Sequence, residues 1–175
     1  MPLLSIAEVN QLPFEEFIQI FGNVVEHCSL CAAAVWRNCP FSNIQNLSSA
    51  FNEFMDNLPM IGKEGILRLH PDLAGRLAMA GALTQESTKE QASAGLGNMS
   101  TDEREKMSRL NSQYKEKFGF PFVICARQNK KEAILKGLEE RLNNSMDQET
   151  LTGVDEVKKI CYLRLLDIVD KNSKL

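Results

Sequence analysis

Residues 100–119 read STDEREKMSRLNSQYKEKFG, and this stretch decides the fold class. Ser100 followed by Glu103 has the spacing of a capping box, in which each side chain serves the other residue's backbone N–H. Behind it, Met107, Leu110, Tyr114 and Phe118 recur at three- and four-residue intervals, the period of one helix face. Gly119 stands where a helix terminates, since glycine enters the left-handed conformation without steric cost.

The same pattern extends in both directions. Ile44, Leu47, Phe51, Phe54, Met55 and Leu58 form a second apolar stripe, closed by Pro59. Asn129 with Glu132 opens a helix carrying Ile134, Leu138 and Leu142, and Asp147 caps a last one running over about 148–170. Ser5 with Glu8, the Pro13-Phe14-Glu15-Glu16 start and residues 29–38 predict three shorter helices. The one strand-like run, Phe120 to Cys125, contains Pro121 and has no β-rich partner, so it reads as an extended connector. The expectation is an all-α protein, a single compact domain of about eight to ten helices spanning 1–172, followed by the tripeptide 173–175.

Composition narrows the function classes. The 175 residues carry 20 Lys and Arg against 23 Asp and Glu, a formal charge of −3. Charges of both signs are interspersed, which argues against nucleic acid and against an anionic membrane surface as partners. No apolar run reaches the roughly 18 residues of a membrane span. The first residues lack a basic region, which argues against a cleaved secretory signal. Five cysteines, an odd number, suit free thiols in a reducing compartment. Ser173-Lys174-Leu175 matches a peroxisomal address, read by an import receptor.

Four places carry candidate chemistry. His70 precedes Pro71, which pushes it out of helical conformation and places its imidazole at an element junction. Such a histidine suits general acid–base work, and equally a capping or structural role. Ser87, Glu90 and Gln91 follow Leu83-Thr84; Ser87 with Glu90 has capping-box spacing, while a helix start also offers polar groups to a ligand. Arg164 lies in ICYLRLLDIV, apolar nearly all round. A guanidinium there needs an anion or several acceptors: a salt bridge to Asp167, a side chain that snorkels to water, or a substrate carboxylate or carbonyl. Phe122, Val123, Ile124, Cys125 and Ala126 form the extended connector, whose backbone groups must bond to neighbouring side chains or to a planar heterocycle.

Two motifs read as packing. Cys28-x-x-Cys31, after His27, lies in an apolar run, and even with Cys39 it lacks a second pair at zinc-ligand spacing. Gly95-Leu96-Gly97 lacks a preceding strand and reads as a helix stop.

Three stretches together resemble one family: HPDLAGRLAMAGALTQESTKEQASAGL (70–96), FGFPFVICARQNKKEAIL (118–135) and EVKKICYLRL (156–165). It is 2-oxo-4-hydroxy-4-carboxy-5-ureidoimidazoline (OHCU) decarboxylase, the last step from urate to allantoin, and the likeness runs through essentially the whole chain. The resemblance implies an all-α homodimer that needs neither metal nor organic cofactor. It makes His70 the catalytic histidine and Glu90 its partner carboxylate. Pro71, Ser87, Gln91 and Arg164 fall at substrate-contacting positions, and the backbone of residues 122–126 at the stretch that holds the ring. Two other readings compete: a helical binding module without chemistry, and a metal-dependent hydrolase built from His27, His70 and cysteines.

Overall fold

A computed structural model describes residues 2–175, so Met1, the first residue of the expected domain, lies outside the described residues. Ten α-helices and two short 3-10 turns are the regular elements of the described residues, with no strand among them. The all-α expectation is met. The chain forms two compact units, Met1–Ile66 with Lys158–Leu175, and Leu67–Val157.

The first unit contains α1 (Ile6–Gln11), α2 (Phe14–Phe21), α3 (Ser29–Trp36), α4 (Ile44–Asp56) and most of α5 (Met60–Arg68). Ser5 and Glu8 close the capping box read from sequence, and Pro13 occupies the N-cap of α2. Asn43 caps α4 by accepting from the Asn46 amide at 2.8 Å. At the other end of α4, the Lys63 ammonium donates to the carbonyls of Asp56 and Leu58, satisfying acceptors that a helix end leaves over. α2 packs on α3 and α3 on α4. Phe17, Phe21, Phe41, Ile44, Leu47, Phe51 and Met55 form the buried centre, with Phe17 and Phe21 rings 4.6 Å apart. Near the carboxyl end, Leu4 and Val169 form one parallel bridge, too short to make a sheet.

The second unit contains α6 (Arg76–Met79), α7 (Gln85–Ser93), α8 (Thr101–Phe118), α9 (Lys131–Arg141) and the first part of α10 (Met146–Leu166). α8 is the helix read first: Ser100 and Glu103 close its capping box, and Gly119 ends it at φ +75°. Met107, Leu110, Tyr114 and Phe118 are all buried, and α8 packs on α9. Tyr114, Phe118, Phe120 and Phe122 form an aromatic cluster with centroids 4.6–6.0 Å apart. Residues 121–125 lie in neither helix nor strand, and Cys125 is extended.

Three helix starts differ from the sequence reading. α7 is capped by Thr84, whose hydroxyl accepts from the Ser87 amide at 3.2 Å, so Ser87 and Glu90 lie inside the helix and form no capping box. Asn129 does not cap α9; its side-chain amide donates back to the Cys125 carbonyl at 2.9 Å, and Lys130 takes the cap position. Ser145 and Gln148 exchange bonds before α10, so Asp147 falls within its first turn. At α7 and α10 a nearby hydroxyl, of Thr84 and Ser145, takes the exposed amide instead, while α9 starts without a side-chain cap. α10 also stops at Leu166, short of the expected 170.

Candidate functional site

The second unit gathers most of the sequence-predicted site. α5 ends at Arg68, and Pro71 disfavours helical conformation at the residue before it, so His70 sits at a helix exit with its amide on the Leu67 carbonyl at 3.2 Å. The residue is buried, 8% exposed, and Pro71 half-buried. Beyond them the chain turns sharply through Ala74, at φ +49°.

α7 holds this turn. The Gln91 carboxamide oxygen accepts from the Ala74 amide at 2.9 Å, and its nitrogen makes a long contact of 3.5 Å with the Asp72 carbonyl. From α8, Asn111 donates to the Leu73 carbonyl at 2.9 Å, and Lys115 pairs with Asp72 at 3.2 Å. Ser87, Glu90 and Gln91 recur at three- and four-residue spacing, so they share one face of α7, and all three are buried. A buried carboxylate is costly to desolvate and calls for polar partners.

The connector is tied down from several sides. α7 packs on the 3-10 turn Ala126–Gln128 that ends it, and the Lys131 amide bonds the Ala94 carbonyl at 2.9 Å. Arg141 donates to the Val123 carbonyl at 2.8 Å and lies over the Phe122 ring, 4.4 Å from its centroid. Glu156 accepts from the Cys125 amide at 2.8 Å. Phe122, Val123, Cys125 and Ala126 are buried and Ile124 is half-buried. Neighbouring side chains therefore engage part of this backbone, as an irregular buried segment demands.

Sequence reasoning missed the group behind Arg141. Glu149, fully buried, accepts from Tyr114 Oη at 2.5 Å, from Arg141 Nε at 2.6 Å and from Asn144 at 2.9 Å. Burial, and then the Glu149 carboxylate beside it, push the Tyr114 phenol well above its usual range. No local pattern singles out Glu149 or Arg141, and only the tertiary fold brings Tyr114 to them.

A cavity of about 240 Å³ in this unit is lined by Ala74, Leu83, Thr88, Gln91, Ala92 and Arg104 among others. His70, Ser87 and Glu90 are not part of its wall.

Arg164 belongs to the first unit. It is 3% exposed, and its Nη1 donates to Glu26 Oε2 at 2.6 Å and to the Asn23 carbonyl at 2.8 Å. Glu26 is itself buried, in the loop between α2 and α3. Sequence reasoning required an anion or several acceptors here and did not name Glu26. The available signal was Glu26 itself, the lone acidic residue between Glu16 and Glu53, set among apolar neighbours.

Cys28 and Cys31 are free thiols with sulfurs 3.4 Å apart, and Cys31 is in the core. Among the described residues, no group of three or more His, Cys, Asp or Glu side chains is arranged to hold a metal ion. Of the terminal tripeptide, Ser173 is half-buried, its hydroxyl accepting from the Ile6 amide at 2.9 Å, while Lys174 and Leu175 are exposed.

The comparisons with known proteins agree with this architecture. The family model described as OHCU decarboxylase matches residues 10–166. The OHCU decarboxylase of Amia calva is 55% identical over 166 residues, 95% of each chain. The crystal structure of (S)-allantoin synthase superposes with a TM-score of 0.76 at 23% identity, covering 95% of this chain and 55% of that one. The crystal structure of an OHCU decarboxylase in the presence of (S)-allantoin gives 0.68 at 23% identity, over 87% of this chain and 96% of that one. The two structures share the fold. The class is that of a decarboxylase, a lyase of urate degradation. The chain belongs to the OHCU decarboxylase family.

Proposed function

We propose that the protein converts OHCU to (S)-allantoin without a cofactor, with His70 as proton donor, Glu90 as its partner and Arg164 as substrate anchor. The observation that carries this reading is the family match over residues 10–166, which spans His70, Ser87, Glu90, Gln91, the connector and Arg164.

The chemistry asks little of a cofactor. As carbon dioxide leaves C4, the electron pair of the broken bond forms a C4–C5 double bond and the imine pair moves onto nitrogen; the 4-hydroxyl then becomes a carbonyl as the ureido-bearing C5 takes a proton. The substrate is its own electron sink. What remains for the protein is orientation, charge complementarity and one proton. His70 delivers that proton to a single face, setting the S configuration. Glu90 orients the imidazole and favours its charged form. Ser87, Gln91 and Pro71 contact the substrate, and the backbone of residues 122–126 fixes the ring so that the scissile carboxylate stands out of its plane. Arg164 donates to the heterocycle's carbonyl oxygen or to the ureido carbonyl. With Glu26 balancing its charge, the guanidinium serves as an oriented donor more than as a bare cation.

The burial of His70, Ser87 and Glu90 supports these roles, because polar groups in a dry setting act more strongly on charge. On the same reading the protein is a homodimer that reaches the peroxisome through Ser173, Lys174 and Leu175. The test couples urate oxidase and hydroxyisourate hydrolase to this protein. Faster loss of OHCU absorbance, with the circular dichroism of (S)-allantoin appearing, is expected. OHCU decay at the uncatalysed rate, giving racemic product, contradicts the proposal.

A further inference from the structure

Five free thiols occur in the chain, and two of them touch. Cys28 is the N-cap of the eight-residue helix α3, and Cys31 lies one turn in, its amide on the Cys28 carbonyl at 3.1 Å. The Cys31 thiol donates to the Cys28 sulfur across 3.4 Å. Cys28 is partly exposed and Cys31 is buried. The other three thiols stand apart in sequence, with Cys125 and Cys161 buried and Cys39 half-buried.

We infer that Cys28 and Cys31 form a thiol–disulfide exchange site that accepts small disulfides and closes to an internal Cys28–Cys31 bridge. The arrangement assigns the two roles such chemistry needs: an accessible attacking sulfur and a resolving sulfur sheltered behind it. The Cys31 hydrogen bond stabilises a thiolate at Cys28, bringing it down to about 6 while Cys31 is driven up. Burial holds Cys39 above the ordinary thiol range, which leaves it a poor nucleophile.

The steps balance. The Cys28 thiolate attacks one sulfur of a disulfide R–S–S–R, forming a mixed disulfide and expelling RS⁻. Cys31 then loses its proton and attacks the Cys28 sulfur, releasing the second RS⁻. The protein dithiol gives up two electrons and two protons, and the small disulfide leaves as two thiols.

Oxidised glutathione is the probe, applied to the reduced, desalted full-length protein at graded ratios to glutathione. Remaining thiols are then alkylated and mapped by mass spectrometry. The expected result is loss of two alkylable thiols per chain, mapped to Cys28 and Cys31 as one internal bridge and reversed by dithiothreitol. Cys31→Ser is expected to accumulate a mixed disulfide at Cys28, and Cys28→Ser to react at neither position. At pH 7 the parent's Cys28 should be alkylated about tenfold faster than Cys39. The inference is overturned if Cys28 stays alkylable under full oxidation, or if the parent stops at a mixed disulfide without closing to Cys31.

Discussion

The Gln91 carboxamide oxygen accepts the Ala74 amide proton at 2.9 Å, tying the turn that follows His70 to the helix that carries Ser87 and Glu90. One side chain on α7 thus sets the register between the histidine's loop and the carboxylate's helix. Gln91→Leu keeps the volume and removes the bond. It should cost roughly 1 kcal/mol of stability, the penalty of leaving a half-buried amide without its acceptor. It should also lower kcat/KM by about tenfold or more. Urea unfolding and steady-state rates on the one variant check both effects, and parent-like values in both would show that the bond positions nothing.

Glu26 and Arg164 form a buried ion pair at 2.6 Å, with side chains only 1% and 3% exposed. Removing one partner leaves an uncompensated charge in a dry setting, so Glu26→Ala should destabilise by about 3–5 kcal/mol. Glu26→Gln, which still accepts a hydrogen bond, should lose less. Denaturant midpoints for the three proteins give the comparison; an Ala variant within 1 kcal/mol of the parent would mean that the pair is open to water.

Tyr114 gives a pH signature. Burial and the adjacent Glu149 raise its folded-state pKa above the unfolded value of about 10. Above pH 10 the unfolded chain therefore holds fewer protons than the folded one, and stability falls as pH rises. The contribution is complete below pH 10 and drains away beyond it. Cys161, raised to about 12 by burial, adds a similar loss from about pH 9. Tyr114→Phe removes only the first. The stability gap between parent and Y114F should be constant from pH 7 to 9 and shrink above 10, measured by denaturant unfolding at each pH. A gap that stays flat to pH 11 contradicts the raised phenol.

Glu156 accepts the Cys125 amide at 2.8 Å from a half-buried position on α10. Glu156→Ala should loosen the connector without unfolding the protein, raising KM several-fold with the melting temperature nearly unchanged. If the backbone of residues 122–126 plays no part in holding substrate, KM will not move.

The helical class was legible because its signals are local. The capping box at Ser100 and Glu103, the Met107 to Phe118 stripe and the Gly119 stop all lie within twenty residues, and all three are present. Pro121 likewise announced the extended connector. Reading Ser87 and Glu90 as a cap failed because Thr84 offered an equivalent hydroxyl three residues earlier, and sequence spacing does not rank such competitors. The need for an anion or acceptors at Arg164 followed from its apolar surroundings, but Glu26, which pairs with it, is 138 residues away. The Tyr114, Arg141 and Glu149 group was invisible for the same reason. What sequence carried about the site came from motif resemblance, where order and spacing across the chain stand in for the missing third dimension.

The most direct test of the central claim is the turnover of His70→Asn with OHCU generated in situ, followed by absorbance and circular dichroism together. Asparagine keeps a polar group of similar reach and removes the titratable proton. The rate should fall by about 10²–10⁴, the allantoin should lose its handedness, and the melting temperature should stay close to the parent's. Parent-rate formation of (S)-allantoin by this variant would contradict it.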